Sequence, residues 1–73
     1  MSDDTTTIPV RVNGTERAVP AGLSVHQLLE HFELVPGTVV VERNKRILRR
    51  EDYPAEPVER GDELELVHFV GGG

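Results

Sequence analysis

Alternating apolar and polar positions near the start of the chain predict a β-hairpin. Residues 8–12 alternate in this way, as expected for a strand with one buried face. Asn13-Gly14 follows, and this dipeptide favours a two-residue turn because both turn residues need positive φ. Residues 15–19 then form the return strand. The loop length sets the register and places Arg11 opposite Glu16.

The next apolar stretch has helical spacing. Four apolar residues recur at i, i+3, i+4 and i+7, namely Val25, Leu28, Leu29 and Phe32. Ser24 followed by Gln27 forms a capping box, which marks the start of a helix. Pro36-Gly37 is a helix-breaking pair. We therefore predict a helix of about ten residues that begins after Ser24 and ends before Pro36.

The residue pattern in the second half of the chain predicts three more short strands. Residues 38–43 are rich in valine, residues 46–48 return after an Asn-Lys turn, and residues 64–67 alternate again. A helix between strands favours a parallel crossover, so the last strand should lie centrally, beside and parallel to the first. The predicted fold is α+β, a ubiquitin-like β-grasp with a mixed sheet of four to five strands and one main helix on one face.

Composition narrows the function classes. The 73 residues include no cysteine, so a disulfide framework, a thiolate metal site and a cysteine nucleophile are excluded. His26 and His31 lack a matching ligand set, and we predict no metal site. The polar, acidic first seven residues do not resemble a secretory signal, and no apolar run approaches a membrane span. We expect a disordered leader over residues 1–7, a domain over residues 8–68 and a cytoplasmic protein without membrane contact.

Charge argues against nucleic acid as a partner. The net charge is −5, whereas neutralising phosphates requires a basic surface. Basic residues nevertheless cluster in one segment, at Arg43, Lys45, Arg46, Arg49 and Arg50. The cluster fits either a solvated hairpin edge or a docking patch for an acidic surface.

The chain closes with Phe69-Val70 and three glycines, Gly71, Gly72 and Gly73. Glycine contributes no side chain to a core and loses much entropy when ordered. Residues 69–73 could reach at most roughly 17 Å when extended. The sequence therefore predicts a flexible tail, which is either a frayed terminus or an extension that enters the active site of a partner.

Four segments together resemble the ThiS family, the sulfur carriers of thiamine biosynthesis. They are residues 22–29, 39–44, 47–50 and 61–73, and the similarity extends over essentially the whole chain from Ile8. The Gly-Asp turn, the strand, His-Phe-Val and the glycine run form its most specific part. The chain departs from the family pattern at Lys45, where glycine is usual, and at Arg49, near which proline is usual.

The resemblance implies a carrier rather than an enzyme, with no cofactor of its own. An ATP-dependent activating enzyme similar to ThiF or MoeB would adenylate the carboxylate of Gly73. A sulfurtransferase or cysteine desulfurase system would then supply the sulfur of a thiocarboxylate, and thiazole synthase would receive it. Gly71 and Gly72 would enter the partner sites, Phe69 and Val70 would contact the partner surface, and the free protein would be a monomer.

Three alternatives share some of these features. The small subunit of molybdopterin synthase has the same fold, tail and sulfur chemistry. A ubiquitin-like modifier would join its tail to lysines of target proteins. A binding module with a merely flexible end would carry no group at Gly73.

Overall fold

The structure, a computed structural model, describes residues 6–68. Within this range the strands are β1 (Thr7–Val12), β2 (Thr15–Pro20), β3 (Val39–Arg43), β4 (Arg46–Ile47) and β5 (Glu63–His68). The helix α1 spans Val25–His31, and two 3₁₀ helices span Pro36–Thr38 and Arg50–Ala55. None of the helices in this part of the chain is long and apolar enough to cross a membrane.

The strands form one mixed sheet in the order β2-β1-β5-β3-β4. The last strand, β5, is central: it runs parallel to β1 and antiparallel to β3. This arrangement confirms the predicted α+β β-grasp and the predicted position of the last strand.

The first hairpin has the predicted register. Arg11 lies opposite Glu16, and the turn residues Asn13 and Gly14 have φ values of 52° and 84°. The first strand begins at Thr7, one residue before the predicted start of the domain, because its pairing with β2 extends to Thr7 opposite Pro20. The predicted leader otherwise lies largely outside the described residues.

Helix α1 begins as predicted but ends earlier. The Ser24 hydroxyl accepts a hydrogen bond from the Gln27 N–H, and the Gln27 side chain accepts one from the Ser24 N–H. The helix is 7 residues long, so it is shorter than the predicted length of about ten residues. It ends because Glu33 adopts a φ of 64° and the Leu34 N–H donates to the Leu29 carbonyl, which completes a Schellman motif.

The core lies between the helix and one face of the sheet. The apolar residues with the least exposed side chains are Val10, Val19, Val25, Leu28, Leu29, Val41 and Leu64. They include three of the four residues of the predicted helical stripe, whereas Phe32 packs at the edge of the core. The outer face of the sheet, opposite α1, leaves Val67 and Ile47 exposed by 57% and 72%.

Candidate functional site

The predicted reacting group lies outside the described residues. This holds for Gly73, for the predicted entering residues Gly71 and Gly72, and for the predicted docking residues Phe69 and Val70. Their roles stay predictions. The structure instead describes the base of the tail, which is the C-terminal half of β5 up to His68.

The two strands beside β5 pair with its C-terminal half to different extents. On one side, β3 remains paired with β5 to its last residue, with Val39 opposite His68. On the other side, the pairing with β1 ends at Val12 opposite Leu64, because the chain turns away at Asn13. Leu66 therefore lies beyond the reach of the β1 backbone ladder.

The side chain of Asn13 continues the ladder where the backbone cannot. Its Oδ1 accepts a hydrogen bond of 2.8 Å from the Leu66 N–H, and its Nδ2 donates one of 3.3 Å to the Leu66 carbonyl. Its own backbone N–H donates to the Leu64 carbonyl at 2.8 Å. One turn residue thus contacts three successive ladder groups of β5.

A second asparagine holds the other end of β5. Asn44 lies in the turn between β3 and β4, and its Oδ1 accepts a 2.9 Å hydrogen bond from the Glu63 N–H. The Asn44 N–H donates to the Glu63 carbonyl at 2.8 Å, and its Nδ2 donates to Asp62 at 3.3 Å. Sequence reasoning treated both asparagines only as turn residues, since nothing local in the sequence indicates these distant partners.

His68 is an exposed residue at the end of β5. Its Nε2 lies 3.3 Å from the Thr38 hydroxyl oxygen. That hydroxyl donates to the Val35 carbonyl at 2.8 Å, so the histidine nitrogen is the donor in the first contact. His68 therefore links β5 to the first 3₁₀ helix.

A shallow groove of about 340 Å³ opens beside the base of the tail. It is lined by Val12, Asn13, Arg17, Phe32, Leu34, Val39, Leu66 and His68. The Arg17 guanidinium lies 5.3 Å from the centre of the Phe32 ring, within range of a cation–π interaction. Five of these eight side chains are apolar, so the groove presents mainly an apolar surface with Asn13, Arg17 and His68 among its polar residues.

The basic cluster divides into structural and exposed members. Arg43 is partly buried: it lies 3.2 Å from a Glu56 carboxylate oxygen and 3.8 Å from an Asp62 oxygen, and it donates to the Pro57 carbonyl at 2.8 Å. These contacts give Arg43 a structural role in the fold.

The other members of the cluster face solvent. Arg49 forms an ion pair with Glu51, and the remaining exposed members are Lys45, Arg46 and Arg50. A docking role for them stays a prediction.

Comparison with known proteins also covers residues 69–73, which lie outside the described residues. The family model for the ThiS family matches residues 10–73. The sulfur carrier protein ThiS of Bacillus subtilis is 42% identical over 50 residues, which cover 68% of this chain and 76% of that protein. The crystal structure of the thiamine biosynthesis protein ThiS from Geobacter metallireducens has a TM-score of 0.77 and 35% identity, and the match covers 90% of this chain and 100% of that one.

Two longer proteins contain a similar segment. The thiazole synthase of Magnetococcus marinus is 38% identical over 64 residues, and that of Paramagnetospirillum magneticum is 40% identical over 62 residues. This chain spans about a fifth of their length, 20% and 19% respectively. The family match over most of the chain, together with the shared fold and the similarity to the sulfur carrier, shows that the chain belongs to the ThiS family.

Proposed function

We propose that this chain carries sulfur as a thiocarboxylate at Gly73 and delivers it to a thiazole synthase in thiamine biosynthesis. The observation that carries the proposal is the family match, which extends through the glycine run to residue 73. The fold supports it, because the central strand of the sheet ends at His68, three residues before the run in the sequence.

The chemistry requires activation before sulfur transfer. A carboxylate is a poor acyl donor, and an ATP-dependent activating enzyme would convert it to an acyl adenylate with release of pyrophosphate. Sulfide then attacks the acyl carbon, the bond from that carbon to the AMP oxygen breaks, AMP leaves, and a thiocarboxylate remains. A persulfide donor would instead give an acyl disulfide, and a thiol would have to reduce its S–S bond to release the thiocarboxylate. Water must be excluded meanwhile, because it would hydrolyse the adenylate.

The glycine run suits such an enclosed site. Gly71 and Gly72 have no side chains that a narrow channel would need to accommodate, so Gly73 can advance while the folded body stays outside. The exposed Val67 and the groove beside His68 lie next to the start of the tail and offer apolar contact to the enzyme that receives it. Phe69 and Val70 would extend that contact.

The similarity to two thiazole synthases supports the choice of acceptor. Each of those proteins contains a segment similar to most of this chain, as expected if the carrier and the synthase act together. The adenylating enzyme and the sulfur donor are proposed from the family resemblance and from the need to activate a carboxylate before sulfur transfer.

Intact-mass measurement tests the proposal. The full chain is incubated with the activating enzyme of the same organism, ATP and a sulfur donor, and a chain lacking Gly73 serves as the control. We expect the mass of the full chain to rise by the difference between sulfur and oxygen, with no change in the control. An unchanged mass, while the enzyme is active on an established ThiS carrier, would refute the proposal, and adducts on lysines of other proteins would indicate a modifier.

A further inference from the structure

The side-chain amide of Asn13 takes the place of two backbone groups that the parallel ladder lacks. The Arg11 N–H donates to the Asp62 carbonyl and the Asn13 N–H to the Leu64 carbonyl, both within 2.9 Å. Bonds of a parallel ladder recur every two residues, so the next acceptor along β5 is the Leu66 carbonyl. The Asn13 Nδ2 donates to this carbonyl, and Oδ1 accepts from the Leu66 N–H.

From this geometry we infer that Asn13 is a positioning residue, which fixes the direction in which β5 delivers the tail to the activating enzyme. The inference rests on the proposed function. Without this side chain, β3 would be the strand that holds the last residues of β5, and it would hold them from one side. A strand paired on a single side can twist and bend more freely than one held on both.

The turn itself does not require the amide group of the Asn13 side chain. Its φ of 52° is a conformation that glycine adopts at least as readily, so the turn can form without an amide group. An Asn13→Gly substitution therefore removes the two contacts with Leu66 while it preserves the hairpin. It also keeps the backbone bond from residue 13 to Leu64, so the effect is confined to the base of the tail.

The second hairpin offers a matched control. Asn44 occupies the corresponding turn position with a φ of 51°, and its side chain also bonds the backbone of β5. Its contact is at Glu63, the first residue of the strand, whereas that of Asn13 is at Leu66 near the tail. Asn44→Gly should therefore weaken the attachment of β5 to a similar degree, but at the end far from Gly73.

The test measures pyrophosphate release by the activating enzyme at varied concentrations of the full-length carrier, at a temperature where every variant is folded. We expect Asn13→Gly to lower kcat about tenfold with little change in KM, because small misplacements of reacting groups strongly slow catalysis. Asn44→Gly should leave both constants within about twofold of wild type. Asn13→Asp keeps the acceptor for the Leu66 N–H but sets its second carboxylate oxygen against the Leu66 carbonyl, so it should recover only part of kcat.

Amide hydrogen exchange in the free protein supplies a readout independent of the enzyme. Asn13→Gly should accelerate exchange at Leu66, and Asn44→Gly should accelerate it at Glu63. An unchanged kcat for Asn13→Gly, or equal losses in the two glycine variants, would overturn the positioning role. If wild-type carrier is not adenylated at all, the proposed function itself fails, and this outcome is distinct from a carrier that is adenylated equally well in all variants.

Discussion

The hydroxyl oxygen of Tyr53 lies 3.1 Å from the backbone nitrogen of Val41 and accepts a hydrogen bond from it. The same hydroxyl donates to the Val39 carbonyl at 2.9 Å, and the tyrosine is only 2% exposed. Strand β4 is just two residues long and pairs with Glu42 and Arg43 of β3. It therefore leaves residues 39–41 of β3 without a strand partner on that side. The second 3₁₀ helix, through Tyr53, closes the edge instead.

Tyr53→Phe should therefore destabilise the fold. It keeps the ring in the core but leaves a buried N–H and a buried carbonyl without their partner, which costs about 1–3 kcal/mol. Chemical denaturation of both proteins measures the difference. A change below about 0.5 kcal/mol would mean that solvent satisfies these groups and that the edge is open.

Arg43 should contribute more to stability than its exposed neighbour Arg46. Arg43→Gln loses ion pairs with Glu56 and Asp62 and the hydrogen bond to Pro57, whereas Arg46→Gln loses an exposed charge. We expect the first substitution to cost about 1 kcal/mol and the second less than about 0.5 kcal/mol. Equal effects in thermal unfolding would show that Arg43 belongs with the solvated residues.

Exchanging lysine and glycine at the second position of the two hairpin turns should change the stability of the protein in opposite directions. Lys45 has a φ of 73°, in the region that favours glycine, while Gly14 has a φ of 84° at the equivalent place in the first turn. Lys45→Gly should stabilise the protein by about 0.5–1 kcal/mol, and Gly14→Lys should destabilise it by a similar amount. Loss of stability in Lys45→Gly would reveal a contact that outweighs the backbone strain.

Extension of the chain tests the length of the tail. An alanine added after Gly73 moves the carboxylate by about 3.5 Å and adds a side chain, so we expect no thiocarboxylate to form. The thermal unfolding midpoint should stay unchanged, which separates failed transfer from misfolding. A parallel chain with an added glycine distinguishes the two causes: if it is active, the side chain is the obstacle, and if it is inactive, the length is.

Local geometry explains which parts of the fold could be predicted. The register of β1 and β2 follows from a two-residue turn at Asn13-Gly14, and the start of α1 follows from the pairing of Ser24 with Gln27. The end of α1 could not be predicted, because a glutamate at positive φ gives no such signal. The 3₁₀ helix at Pro36–Thr38 lies where the sequence suggested only a stop.

The candidate site shows the same division. The glycine run is visible in the sequence, and the family match extends through it, so its proposed role could be stated without a structure. The side-chain contacts that hold the end of β5, from which the run continues, could not be predicted from the sequence. The contact of Asn13 with Leu66 joins residues 53 positions apart, and a residue that makes a good turn looks the same in sequence whether or not its side chain has such a partner.

The central position of β5 also bears on how the chain folds during synthesis. This strand is translated after all the others, yet it lies between β1 and β3 and joins the two hairpins into one sheet. Contacts over such long sequence separations form slowly, and the two hairpins cannot share a core until β5 is inserted between them. Under the proposed function, we therefore expect the body to become recognisable to the activating enzyme only after β5 has emerged from the ribosome, so that incomplete chains would not compete with the finished carrier.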